Sequence, residues 1–295
     1  MARDVTLAHA QLRLLQSGQA LTVAIDLIRQ KIEGCLETLA GGPPGLLNPS
    51  AERVLRDTVK GLAADSPDTP EALRWREAQA AKAYFTAWRA IPLQWKGTGR
   101  HPIPPAWRQM GPRLSSITGT ARQATHPANA LLNYAYGVLE SQVRRAIVTA
   151  GLDPTLGVLH ASHPGRSALV YDLMEPLRPQ VDRLVLTFLT EHVFHPKDFI
   201  RQPDGACRLH PQLARVAAQL GVSQDMVQSV VDHNLGIVCG GRLTQPNLAG
   251  RCRQEHDIRL NTCRPLRSAI IVYLTTWGAL SAVEALRTIY PRTGS

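Results

Sequence analysis

The chain has 295 residues, 44% of them hydrophobic, which suits a folded protein with a sizeable core and excludes a disordered or fibrous one. Lys and Arg number 33 against 23 Asp and Glu, and a net charge of +10 favours polyanionic partners, nucleic acid first among them. Five cysteines at wide spacing do not make a disulfide framework, so a reducing, cytoplasmic compartment is expected. The N-terminal residues lack the apolar core of a secretory signal. The most apolar run, Ser268 to Val283, is shorter than the roughly 20 residues of a membrane span, so it reads as a core helix and no membrane partner is expected.

Residues 5–40 read as helix, with Leu12, Leu15, Val23, Ile25, Leu27, Ile28, Ile32 and Leu36 as apolar faces and an interruption at Ser17-Gly18. The run GGPPG at 41–45 stops it. A shorter helix follows from Ala51 to Leu62, then a turn at Ser66 to Thr69, with Pro70 suited to the first turn of a helix over 71–90. On that helix Glu77 shares one face with Ala81, Tyr84, Phe85 and Trp88. A carboxylate in such a stripe needs a cation, either the guanidinium of a neighbouring Arg or a bound metal.

Residues 91–127 read as irregular, rich in Pro, with Arg100, Arg108, Arg113 and Arg122 interleaved with Trp95 and Trp107. Such a loop either grips a phosphate backbone and stacks on unpaired bases, or is an ordinary loop pinned by its two tryptophans. Pro127 to Ala150 is a helix with Leu132, Ala135, Leu139, Val143 and Ala146 inward, and Asn133, Tyr136, Glu140 and Arg144 on the other side. Glu140 and Arg144 have the spacing of a surface ion pair, so Glu140 is passed over as a metal ligand. His160 ends a short apolar run. Ser167 is placed to cap a helix from Ala168, on which Asp172 and Glu175 share a face before Pro176 and Pro179 interrupt it. The rest, to about residue 286, reads as helices joined by polar loops.

In chain order, LRWREAQAAKAYFTAW, HPANALLNYAYGVLE, GLDPTLGVLH, GRSALVYDLMEPLRPQVDRLVL and FHPKDFIRQPDGACRL resemble the CRISPR-associated spacer-acquisition endonuclease/integrase family over most of residues 9–230. His160 to Pro179 is the most specific block, and the last 60 residues match less well. The resemblance implies a mainly α, multi-helical catalytic domain. It implies a metal triad at Glu77, His160 and Glu175, with Asp172 supporting. Tyr136 falls where some members carry an active-site tyrosine, and Arg166 in the GR turn becomes a candidate phosphate contact beside Arg100, Arg113 and Arg122. Family members usually begin with a β-rich domain that builds the homodimer interface. Here the first 40 residues already read as the helices that follow it. The N-terminal β domain is therefore expected to be absent or truncated, with N-terminal helices over 1–45 and the helical catalytic domain over 46–290.

The implied activity is insertion of foreign DNA fragments into a CRISPR array by phosphodiester transesterification, with Mg²⁺ or Mn²⁺ as cofactor. Implied partners are double-stranded DNA, a second copy of the chain and a small ferredoxin-like companion subunit. Two carboxylates and one imidazole suit those cations and leave positions for phosphate and nucleophile. Two other readings stay open: a catalytically idle DNA-binding or assembly subunit, and a transposase-like recombinase of the same superfamily. A zinc site at Cys239, Cys252, His256 and Cys263 is weighed against, because these residues lack the close paired spacing of structural zinc ligands.

Overall fold

Helix α1, Val5–Gln16, and helix α2, Gln19–Ala40, part at Ser17-Gly18, where the Ser17 hydroxyl donates to the Leu14 carbonyl at 2.7 Å. That side-chain bond competes with the helical ladder and ends the first helix. The computed structural model describes residues 5–43, 45–46, 48–113, 123–160 and 167–238. Arg122, Arg166, the four candidate zinc ligands and the Ser268–Val283 run lie outside them. Residues 1–235 form one compact unit, and a second, 236–295, falls almost wholly outside the described residues.

On α2, Ala24, Leu27, Ile28, Ile32, Cys35 and Leu39 recur at helical spacing and are all buried. Against this helix pack α3 (Pro49–Ala64), α4 (Pro70–Ala87) and α7 (Arg178–Glu191). α3 and α4 each open on a proline behind a capping side chain. Asn48 accepts from the Ser50 and Ala51 N–H groups, and Thr69 accepts from that of Ala72. Leu55, Leu62 and Leu73 are buried in this part of the core, each contributing roughly 1.5–3 kcal/mol.

α5, Pro127–Thr149, packs on α6, Ala168–Met174, and on α7. Its inward face carries Leu132, Ala135, Leu139 and Val143 as expected, but continues to Ile147 rather than Ala146. Tyr136, expected on the opposite side, is also buried, because α5 is covered by more than one neighbour. Pro176 and Pro179 interrupt the chain as expected, with a 3-10 turn at Glu175–Leu177 between α6 and α7.

Beyond α7 the expectation of helices alone is corrected. Strand β2, Val193–Phe194, pairs in parallel with β1, Gln94–Trp95. β3, Phe199–Arg201, forms an antiparallel hairpin with β4, Cys207–Leu209, around Asp204-Gly205. Helices α8, Pro211–Ala217, and α9, Gln224–Val238, follow. Trp95, Trp107, Phe194 and Phe199 gather here, with ring centroids 5.5 to 5.9 Å apart. The Trp95 indole donates to the Trp107 carbonyl and the Trp107 indole to that of Thr125, both at 3.1 Å. The two tryptophans thus pin the 91–113 segment to the body of the fold. Among the described residues the architecture is mainly α, as expected. Among the described residues no helix is long and apolar enough to cross a membrane.

Candidate functional site

The site begins where α2 meets the start of α7. A Cβ on Gly34 would lie 2.9 Å from Cβ and Cγ of Pro179, so only glycine lets the two helices approach this closely. The Thr38 hydroxyl donates to the Pro179 carbonyl at 3.2 Å and fixes the crossing. Lys31, one turn before Gly34, is thereby carried to Glu175. Its ammonium lies 2.5 Å from Glu77 Oε1 and 2.6 Å from Glu175 Oε2. Arg178 Nε approaches the other oxygen, Glu175 Oε1, at 3.3 Å. The Glu175 side chain is 6% exposed, that of Lys31 16% and that of Glu77 23%, so the cluster runs outward from Glu175. The protein cation beside Glu77 is therefore a lysine of α2 rather than a neighbouring arginine.

Burial works against charge on Glu175, but Arg178 and Lys31 outweigh it and hold the carboxyl down at about 2. Burial likewise opposes charge on Lys31, and Glu175 and Glu77 overcome it, keeping the ammonium protonated well above its ordinary range. Glu175 and Lys31 are thus both charged near neutral pH.

His160 stands at the end of a loop that Asp172 organises from α6. The fully buried Asp172 carboxylate accepts the backbone N–H groups of Val158 at 2.5 Å, Leu159 at 3.1 Å and His160 at 3.0 Å. It also takes His160 Nδ1 at 2.7 Å. A Cβ on Gly157 would collide with Ala168 and with Asp172 Oδ2 at 2.6 Å, so glycine allows the loop to settle onto the start of α6. With Nδ1 committed to Asp172, Nε2 is the nitrogen a metal would take, an orientation common at metal-bound histidines. The His160 ring lies within electrostatic range of Glu175.

The expected triad is therefore brought together in part. Glu77 and Glu175 meet on one cation, and His160 is held on its Asp172 anchor within electrostatic range of Glu175. Among the described residues no three His, Cys, Asp or Glu side chains are drawn tightly enough to enclose an ion. The donor set itself fits a hard divalent cation: two carboxylates already converge on one positive centre, next to an oriented imidazole.

Tyr136 does not face that centre with its hydroxyl, which donates to Asp182 of α7. Its ring is flanked by two guanidinium groups, Arg178 at 4.8 Å and Arg113 at 5.6 Å from the centroid. Arg113, expected as a DNA contact, also lies over Phe85, and burial draws its pKa down. Arg100 is exposed. Ser167 precedes α6 as expected but makes no side-chain cap bond; its hydroxyl accepts from Arg144 instead. Arg144 also pairs with Glu140 at 2.6 Å, as the spacing predicted.

Sequence reasoning missed Lys31, Arg178 and Asp182. The signal for Lys31 was present: it stands within the Leu27, Ile28, Ile32, Cys35 stripe, a cation in a core face just as Glu77 is an anion in one.

Residues 1–220 match the family model described as CRISPR associated protein Cas1. Over 152 residues, 51% of this chain and 39% of the relative, the sequence is 37% identical to the CRISPR-associated endonuclease Cas1 1 of Methanospirillum hungatei. Over 252 residues, 80% of this chain and 68% of the relative, it is 29% identical to the CRISPR-associated endonuclease Cas1 1 of Moorella thermoacetica. Among solved structures, a casposase bound to integration product aligns with TM-score 0.65 at 20% identity, covering 82% of this chain and 70% of that one. A partial Cas6-RT-Cas1–Cas2 complex aligns with TM-score 0.66 at 17% identity, covering 82% and 72%. By fold, then, the chain groups with casposase and Cas1 structures. The chain belongs to the Cas1 family.

Proposed function

We propose that the chain is a divalent-metal-dependent DNA endonuclease and integrase that inserts foreign DNA fragments into a CRISPR array, with Glu77, His160 and Glu175 as the metal ligands. The observation that carries this reading is the convergence of Glu77 and Glu175, from α4 and from the turn before α7, on one positive centre beside a histidine oriented by Asp172. Mg²⁺ or Mn²⁺ suits the oxygen donors, and Mn²⁺ also accepts the imidazole. When bound, the cation would offset charge building on a phosphodiester and ease deprotonation of water or a DNA 3′-hydroxyl. Asp172 holds the imidazole in orientation, and Arg178 keeps Glu175 ionised and in place. Tyr136 acts behind the site, as a flat support for Arg178.

Double-stranded DNA is the proposed substrate, with Arg100 and Arg166 as phosphate contacts that hold a duplex without reading its sequence. A second copy of the chain and a small ferredoxin-like companion are the proposed protein partners. The likeness to a casposase bound to integration product and to a Cas1–Cas2 complex supports both the substrate and an assembly. The lysine lodged between the two carboxylates favours a second reading, a catalytically idle assembly subunit.

A nicking and strand-transfer assay on labelled duplex with Mn²⁺ tests the first reading. Glu77→Ala, His160→Ala and Glu175→Ala should each lower the rate by about 100-fold or more, as loss of a metal ligand removes several kcal/mol of transition-state stabilisation. Duplex binding in a gel shift should stay close to the parent's. Variants that react like the parent would show the ligands to be wrongly assigned. A parent that binds DNA and yields no product with Mg²⁺ or Mn²⁺ would favour the idle subunit.

A further inference from the structure

We infer that Lys31 is a built-in counter-ion, which holds Glu77 and Glu175 together in the metal-free protein and is displaced when the divalent cation enters. The inference rests on the metal-site reading above and adds its regulation.

Two positive groups, Lys31 and Arg178, face two negative ones, Glu77 and Glu175, so the cluster is neutral as it stands. Lys31 Nζ lies within 2.6 Å of both carboxylates, and a metal oxygen bond is about 2.0–2.2 Å long, so ammonium and cation claim the same oxygens. Adding a divalent cation to the intact cluster would leave a double positive charge in a partly buried place. Expelling the ammonium halves that excess, and one phosphodiester then cancels the remainder. The charge balance therefore couples metal entry, lysine exit and phosphate arrival.

The side chain is built for this exchange. Lysine is a point charge on a flexible stem with no preference for one bidentate geometry, unlike Arg178. Its anchor on α2 is fixed by the Gly34–Pro179 crossing, so only the stem needs to move. Glu77 is the more exposed of the two carboxylates and His160 is 39% exposed, which marks the outward path. Without metal the ammonium does two things. It keeps the two carboxylates from repelling each other, and it lowers metal affinity by the fraction of time it occupies their oxygens.

The test uses the full parent chain and Mn²⁺ alone. Lysines are acetylated with an amine-reactive ester, with and without Mn²⁺, and read by peptide mass spectrometry. Lys31 should react about tenfold faster or more with Mn²⁺ present, because a paired, sheltered amine reacts only through its transiently freed population. Lys60 and Lys82, both exposed, should not change. In a Mn²⁺ titration followed by electron paramagnetic resonance, Lys31→Met should bind about tenfold more tightly than the parent, having lost the competitor. Mn²⁺ bound by the parent with Lys31 still protected, or a Lys31→Met affinity no tighter than the parent's, would overturn the inference while leaving the metal site intact. A parent that binds no Mn²⁺, and matches Glu77→Gln in this, would sink the metal site and the counter-ion with it.

Discussion

Glu175 and Asp182 are both almost fully buried, yet their carboxyls move in opposite directions. Burial opposes charge on each. Arg178 and Lys31 lie directly against Glu175 and bring it down to about 2, below its ordinary 4.5. Burial dominates at Asp182, outweighing the hydroxyls of Tyr136 and Tyr84 and the charges of Arg113 and Arg178, and raises it to about 6 from 3.8. The consequences for stability have opposite signs. The contribution of Glu175 is present above pH 4.5 and is lost as pH falls toward 2. That of Asp182 is fully present below pH 3.8 and is lost as pH rises through 6. Asp182→Asn carries no titrating charge in the same place. The unfolding free energy of the parent, measured against this variant by urea titration, should therefore fall between pH 4 and 7, by about 1–3 kcal/mol in all. A pH-independent difference would mean that Asp182 titrates normally. Residue types in this cluster were legible only where they broke a pattern. Glu77 did so in an apolar stripe and was found. Lys31 did so too and was overlooked, and Asp182, next to Val181 on the inward face of α7, offered a third instance.

At the scale of elements, the crossing of α2 and α7 sets the geometry of the Lys31–Glu175 pair. The missing side chain of Gly34 sets that distance, and the Lys31–Glu175 contact follows from it. Gly34→Ala makes the test. Alanine favours a helix interior by about 1 kcal/mol over glycine. Against this, the added methyl meets a stiff pyrrolidine ring at 2.9 Å, and overpacking of that kind costs about 1–3 kcal/mol. The clash should win, so the variant should unfold at lower temperature and lower urea than the parent; a more stable variant would show that the crossing has slack. The long helices were readable because apolar residues repeat over three or more turns in α2 and α5. The strands were not, since pieces of two or three residues hold no period. The Asp204-Gly205 pair was the one signal that could have marked the β3–β4 hairpin, and it was passed over.

Across the whole molecule, the fold supplies what no local pattern contains. Glu77, His160 and Glu175 come from three separate segments, and spacing alone could not pair them; packing brings Glu77 and Glu175 onto Lys31 and holds His160 on Asp172. The fold also sorts the arginines, which composition cannot. Of the basic residues read from the 91–127 loop, Arg100 is left in solvent, whereas Arg113 is folded between Phe85 and Tyr136. If a chain of net charge +10 holds duplex by its phosphates, as proposed, it should bind less tightly as salt rises, through release of counterions from DNA. Each phosphate contact adds about 0.9 to the slope of log affinity against log salt. Arg100→Ala should therefore lower that slope by about 0.9, measured by fluorescence anisotropy on a labelled duplex over about 50 to 200 mM salt, and equally on a shuffled sequence. Arg113→Ala should leave the slope unchanged and lower the unfolding midpoint instead, because its guanidinium is spent on two rings inside the protein. If Arg113→Ala alone flattened the salt dependence, the inward arginine would be a DNA contact, and the surface that meets the duplex would have to be redrawn around α5.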